Sequence, residues 1–345
     1  MIAVAVLYSS YWVAELGKHL LPSGIIAALR WTGSWWIGFL FYMTIILFLI
    51  DLLRVVGRLS HLLPSSFWRP PRSARRAGLL VVIGVVLTLL LTGYFNARNL
   101  MVTKLPLRLR PSCGPTTRLN LVFLSDLHLG VMVNGSFLKR AIEQVNNLEP
   151  DLVLLVGDIV DMDLREIDRM GCGKILSRIR ANLGVYAVTG NHEYITGAEE
   201  AVEYLSSCGI TFLRDRVVKI DDSFYLAGRE DLTRWRRRGE RKSLRSVLGG
   251  LDPGCPVILM DHQPARIGEA VKEGVDLLLC GHTHNGQLFP FNLITDALYQ
   301  VSWGYSRQGE TQVYVTSGAG TWGPPVRIGN HPEIVQIKIE FGPAP

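Results

Sequence analysis

Two uncharged stretches near the amino terminus constrain this chain more than any other feature. Trp31 to Ile50 reads WTGSWWIGFLFYMTIILFLI, and Ala77 to Ala97 is built around LLVVIGVVLTLLL. A hydrocarbon core about 30 Å thick is crossed by about 20 apolar residues in a helix, so each stretch predicts a membrane span. The Trp35 and Trp36 pair at one edge and the flanking arginines match the usual interfacial anchors. A hydrophobic fraction of 48% is high for a soluble enzyme, and the excess lies in the first hundred positions. Two buried helices of a soluble protein are the weaker reading. Met1 to Ala14 is shorter and lacks the basic start of a signal peptide; it reads either as a third span that begins before the chain does or as a segment lying in the interface.

The loop between the two spans carries Arg54, Arg58, Arg69, Arg72, Arg75 and Arg76. By the positive-inside rule it is cytoplasmic, which places everything after about residue 97 outside the cytoplasm, in a periplasm or an extracellular space. Arg98, Lys104, Arg108 and Arg110 after the second span reduce that asymmetry. The expected organisation is a membrane region of two or three helices over residues 1–100, a linker over 101–118 and a globular domain over 119–345. The five cysteines have no CxxC spacing and establish neither a disulfide framework nor a zinc site; most read as small buried apolar residues.

From Leu119 onward, LNLVFLSD, DLVLLVGD, GVYAVTGN, PVILMDHQ, VDLLLCGH and QVYVTSG read as buried strands, each ending in small or polar residues. SFLKRAIEQVNNLEP, GKILSRIRANL, AEEAVEYLSSCG and PARIGEAVKEG have helical spacing between them. The class is therefore α/β. EIVQIKIEF at the tail alternates and reads as a half-buried strand of a second sheet, and VVKIDDSFYLAG as a hairpin in that same sheet. Ligands in open α/β sheets bind beyond the carboxyl ends of the strands. Those ends carry Asp126 and His128, Asp158, Asn191 and His192, His262, and His282 and His284, which include five of the eight histidines.

Singly these are weak signals. A lone histidine after a strand is usually structural, an aspartate caps helices well, and an asparagine after glycine serves turns. Together the order D-x-H, G-D, G-N-H-E, isolated His and G-H-T-H, each after a strand, points to one site. The pattern resembles the calcineurin-like metallophosphoesterases over about residues 119 to 341. GHTHNGQLFP and SGAGTWGPPVRIGNHPEI are closest to the membrane-associated bacterial phosphodiesterase branch, similar to UDP-2,3-diacylglucosamine hydrolases. Asn285 departs from the second glycine of that branch's GHTHGGQ, which bears on the local loop shape.

The resemblance implies a two-sheet α/β sandwich and two divalent metal ions. One would be held by Asp126, His128, Asp158 and His284, the other by Asp158, Asn191, His262 and His282. Carboxylates, imidazoles and one amide oxygen suit Mn²⁺ best, with Fe or Zn²⁺ as alternatives. A bridging carboxylate, for which Asp158 is the candidate, allows ions about 3.5–4 Å apart to share and acidify one water. A metal-bridging hydroxide would attack phosphorus, with His192 stabilising the transition state or protonating the leaving oxygen. Asp161 and Glu193 lie close enough in sequence to orient these residues, or read equally as exposed acids at helix starts, and neither is counted among the site residues.

RWRRRGERKSLR, residues 234 to 245, has seven basic residues and Trp235. It reads as a solvated loop, a nucleic-acid groove, or, in a membrane-tethered domain, a flap resting on anionic headgroups; the last is favoured and the spans argue against nucleic acid. Trp235, Arg237 and Arg327 are the candidate substrate-binding residues, Arg327 as a phosphate clamp. Phe289, Trp303 and Trp322 could line a greasy groove, although core packing is the favoured role for any single one of them. The expected activity is hydrolysis of a phosphodiester or pyrophosphate bond in a lipid or cell-envelope precursor. Alternatives are UDP-2,3-diacylglucosamine pyrophosphatase activity, which requires a cytoplasmic domain, a nuclease, and a non-catalytic metal-binding membrane module.

Overall fold

The structure, a computed structural model, describes residues 2–17, 20–60, 70–237 and 241–343, with the backbone alone at 2–6 and 235–237. The chain divides into two units, Met1–Asn96 with Gly323–Val326, and Ala97–Trp322 with Arg327–Pro345.

The first unit contains helices α1 (Ile2–Leu16), α2 (Ser23–Ser60) and α3 (Arg72–Asn96). Both α2 and α3 are long and apolar enough to cross a membrane. They leave Phe48, Leu53, Leu80, Val81 and Phe95 exposed, the arrangement of helices whose solvent is lipid. Helix α1 packs on α2 through Gly33, where a Cβ would meet the Tyr11 backbone nitrogen at 2.6 Å. Small residues permit this close helix approach. Arg30 pairs with Glu15 at 2.9 Å across the same contact.

The second unit holds two six-stranded mixed sheets. The first has the order β1 (Met101–Leu109), β12 (Glu333–Phe341), β2 (Arg118–Leu124), β3 (Leu152–Val156), β4 (Val185–Val188) and β5 (Thr211–Phe212). The second has the order β10 (Gly304–Gln308), β11 (Thr311–Val315), β9 (Leu277–Cys280), β8 (Val257–Met260), β7 (Phe224–Gly228) and β6 (Arg216–Ile220). Strand alternation explains the layering. In β2, Leu121 and Phe123 face the core between the sheets, while Val122 and Leu124 join the core on the outer face. That outer core is completed by α4 (Gly135–Asn147), α5 (Leu164–Arg169), α6 (Cys172–Leu176) and, after the short α7 (Asn191–Thr196), α8 (Ala198–Ser207). On the outer face of the second sheet, α9 (Leu244–Leu248) and α10 (Ile267–Lys272) pack through Leu244, Leu248, Ile267 and Ala270, and α11 (Phe291–Leu298) follows the His284 loop.

Three expectations change. Met101–Leu109, read as linker, is a strand paired in parallel with β12 from Met101↔Glu333 to Leu109↔Phe341. The tail strand belongs to the first sheet and not with the hairpin β6–β7, which lies in the second. Flanked by β1 and β2, it is buried at seven of nine positions. GKILSRIRANL is helical only as far as Leu176. Two cysteines also pair: Cys113 and Cys255 form a disulfide, while Cys172, Cys208 and Cys280 are free.

Candidate metal centre

The parallel strands β2, β3, β4, β8 and β9 deliver the polar residues to one place because their carboxyl ends lie along the same edges of the two sheets. Loops after β2 and β3 are joined by Asp126 N–H donating to Gly157 O at 3.0 Å and His128 N–H to Asp158 O at 2.9 Å. The turns are sharp: Asp126, His128, Asp158, His282 and His284 all have left-handed φ, between 48° and 74°. Few non-glycine residues tolerate that region, Asp, Asn and His best among them. Asn285 at φ 46° also adopts it, which is how an asparagine stands where a glycine is usual. Gly190 is required sterically, since a Cβ there would run into the Asp158 carboxylate.

Two clusters form about Asp126 and Asp158, each with ligand-type atoms within 4.8 Å of one another: Asp126, His128 and His284, and Asp158, His262 and His282; a third group of the same kind joins His128 to Asp161 and His192. His284 Nε2 lies 3.3 Å from Asp126 Oδ1 and 3.0 Å from His128 Nε2. His128 Nε2 is 3.8 Å from Asp158 Oδ2, and His262 Nε2 is 3.2 Å from the same oxygen, outside hydrogen-bonding geometry. Asp158 Oδ2 therefore touches both clusters. His262 Nδ1 lies 2.8 Å from Val156 O, to which it donates in the tautomer that leaves Nε2 free. His262 Nε2 and Asn191 Oδ1 are buried without hydrogen-bond partners.

Burial would raise the two aspartates, but the histidines overcome it: His284 above all holds Asp126 well below the usual carboxylate range, and His262 does so for Asp158. Burial lowers His128 and His282 to about 4. Burial opposes the charge on His262, but the Asp158 carboxylate raises it well above the ordinary value. Ionised carboxylates beside neutral imidazoles are the state a divalent ion needs, and an ion in the second cluster would displace the His262 proton. The donor set fits such ions.

His192 lies outside both clusters. Its ring is edge-on to His128 with centroids 4.5 Å apart, and Nδ1 is 2.6 Å from Asp161 Oδ1. Burial would lower His192, but the Asp161 hydrogen bond and the Asp158 and Asp161 charges raise it to about 9. Glu193 is fully buried and accepts four backbone N–H bonds, from Gly190 (2.7 Å), Asp158 (3.0 Å), Ile159 (2.7 Å) and Val160 (3.1 Å). It ties the G-D loop to the G-N-H-E turn, a role its sequence position suggested only as proximity.

The calcineurin-like phosphoesterase family model matches residues 119–286. A zebrafish (Danio rerio) protein named transmembrane protein with metallophosphoesterase domain is 33% identical over 313 residues, covering 86% of this chain and 71% of its own length. The chain belongs to the calcineurin-like phosphoesterases. Phosphodiesterase YaeI of Escherichia coli is 32% identical over 232 residues, covering 64% of this chain and 81% of its own. Among solved structures, a 5′-nucleotidase precursor from Thermus thermophilus has a TM-score of 0.40 at 15% identity, covering 65% of this chain and 54% of that one. This phosphoesterase is thus a metal-dependent hydrolase of the superfamily, and its two apolar helices and a relative named as transmembrane indicate membrane association.

Arg327 does not serve this phosphoesterase as a substrate clamp. It is fully buried, donating to Gly320 O at 2.7 Å, Gly318 O at 3.0 Å and Asn330 Oδ1 at 3.1 Å, with Nη2 3.3 Å from His284 Nδ1. Its guanidinium positions a candidate ligand and the β11 loop. The side chains of Trp235 and Arg237 lie outside the described residues, although their backbone forms the end of a 3₁₀ turn, Leu232–Arg237. Two bases of the basic segment are used internally: Arg234 pairs with Glu230 at 2.9 Å, and Arg241 with Asp261. Phe289, Trp303 and Trp322 are about half exposed and so outside the core.

Proposed function

We propose that this phosphoesterase holds two divalent cations, Mn²⁺ being the best match to its donors, at Asp126, His128, Asp158 and His284 and at Asp158, Asn191, His262 and His282. The observation that carries this reading is the pair of buried, partnerless atoms Asn191 Oδ1 and His262 Nε2 beside the shared Asp158. An amide oxygen left without a donor costs about 1–3 kcal/mol, which a cation would offset. Such ions supply Lewis acidity and an acidified water. The chain's own contribution is to orient: Asp161 holds the His192 proton toward the leaving oxygen, Glu193 fixes the Asp158 and Asn191 turns, and Arg327 sets His284.

The substrate we propose is a phosphodiester or pyrophosphate in a membrane lipid or envelope precursor, met on the extracytoplasmic side. The disulfide between Cys113 and Cys255 supports that side, because such bonds persist in oxidising compartments. UDP-2,3-diacylglucosamine hydrolysis is the second reading, and needs the cytoplasmic side. Detergent-purified, Mn²⁺-loaded protein should bind two ions and cleave bis(p-nitrophenyl) phosphate, losing both one ion and activity in Asp158→Asn. His192→Ala should keep the ions and lose most activity. Full activity in Asp158→Asn would refute the site; cleavage of UDP-diacylglucosamine in preference to lipid diesters would select the second reading.

A further inference from the structure

Helix α11 is inside out. On α4, the apolar residues Phe137, Leu138, Ala141, Ile142 and Val145 are buried, as expected for a helix covering a sheet. On α11 the half-buried residues are Asn292 and Thr295, while Leu293, Ile294 and Leu298 are 59%, 51% and 73% exposed. Trp303 follows Ser302, whose hydroxyl donates to Asp296 of α11, and Trp303 and Trp322 are 52% and 53% exposed. Contiguous apolar surface of this kind marks an interaction site, and its place in the chain identifies the occupant.

The patch lies at the end of the catalytic unit where the chain leaves for the membrane. Trp303 donates its indole N–H to Glu333 Oε1 at 3.2 Å, and Glu333 is the sheet partner of Met101. Met101 follows the end of α3 at Asn96 by five residues, a reach of at most about 18 Å. The segment from Ile328 to Glu333 connects the two features: Phe289 N–H donates to Ile328 O at 2.8 Å, and Met101 N–H to Pro332 O at 3.0 Å. A tryptophan with its polar edge satisfied and its apolar body exposed is suited to the headgroup boundary.

We propose that α11 and Trp303 dock the catalytic unit on the surface of the bilayer its own helices enter, with the Leu293, Ile294 and Leu298 side chains in the acyl boundary. The metal site then opens on the headgroup layer, because Trp322 borders both surfaces. Its ring centroid is 6.2 Å from that of His192, and its backbone exchanges bonds of 2.7 and 2.9 Å with the Gln287 side chain, four residues before α11. A substrate phosphate would reach His192 without its lipid leaving the membrane. The inference rests on membrane association and not on which phosphoester is cleaved.

The test is photo-crosslinking of the full chain in nanodiscs of phosphatidylethanolamine and phosphatidylglycerol. p-Benzoylphenylalanine is placed at Leu298, at Ile294 and, as the control, at Lys139 on α4, whose side chain is 61% exposed. Mass spectrometry should find several-fold more phospholipid adduct at Leu298 and Ile294 than at Lys139. Yields equal to the control, or crosslinks from Leu298 to a second copy of the chain in place of lipid, would overturn the proposal. Ile294 repeats the test should the Leu298 variant fold poorly. Metal content and hydrolysis of bis(p-nitrophenyl) phosphate, read on the same samples, report the proposed function separately.

Discussion

Replacing Arg327 with methionine separates two roles that the sequence left open. A phosphate clamp would be reachable by substrate, and its loss would raise KM while leaving the fold intact. The buried guanidinium instead serves the carbonyls of Gly318 and Gly320 and the Asn330 amide oxygen. Methionine fills much of the volume but donates nothing, so three buried acceptors lose their donor at about 1–3 kcal/mol each. Partial relaxation would keep the net cost near the lower end, about 3–5 kcal/mol. For a domain of this size each kcal/mol lowers Tm by about 2–4 °C, so a fall on the order of 10 °C is expected. His284 would also lose its contact at Nδ1, weakening the first cluster. Thermal unfolding in detergent, read beside metal content and steady-state kinetics, checks both. An unchanged Tm with a raised KM alone would refute the structural role and restore the clamp.

Glu193→Gln leaves an amide NH₂ against backbone donors, so two N–H groups go unsatisfied at about 1–3 kcal/mol each; metal affinity should fall about 10–100-fold, as for other ligand-orienting partners, measured by isothermal titration. Asp161→Asn weakens the hydrogen bond and removes one of the carboxylate charges that raise His192. If protonated His192 is the active form, its proton is then lost at lower pH, so the alkaline limb of kcat/KM should move to lower pH in a pH–rate profile. An unshifted limb would exclude His192 as the acid held by Asp161. Substituting Cys113 and Cys255 with serine opens a 142-residue loop, worth up to about 5 kcal/mol by chain entropy. Unfolded, unreduced protein should show three thiols and reduced protein five, and five before reduction would contradict the bridge.

What the sequence revealed depended on how local the signal was. Strands β2, β3, β8 and β9 are legible because they are buried on both faces and so read as continuous apolar runs that stop at Asp126, Asp158, His262 and His282. The order of those stops carried the site. Strand β1 was not legible, because Lys104, Pro106 and Arg108 interrupt an edge strand whose pairing with β12 lies more than 200 residues away. Edge strands tolerate charge and proline for want of a second neighbour. The fate of Arg327 was equally hidden, since nothing in PPVRIGN distinguishes an arginine facing substrate from one facing the carbonyls of its own loop.

The site's backbone explains why Glu193 and Arg327 must be buried. Left-handed φ at Asp126, His128, Asp158, His282 and His284 is unfavourable, by about 1 kcal/mol or more at each. Loops so bent would relax unless their backbone groups were held from behind. Glu193 fixes the turn at Asp158 through three N–H groups and ties it to its own turn through a fourth, that of Gly190. Arg327 acts with opposite polarity, holding carbonyls of the Gly318–Gly320 turn and reaching His284. A carboxylate gathers donors and a guanidinium gathers acceptors, each behind one cluster. Neither needs to meet substrate, and both are fully buried while the rim at Trp322 stays open. The candidate ligand atoms are therefore set by charges on the inner side, leaving the outer side free to vary with the surface the substrate arrives from.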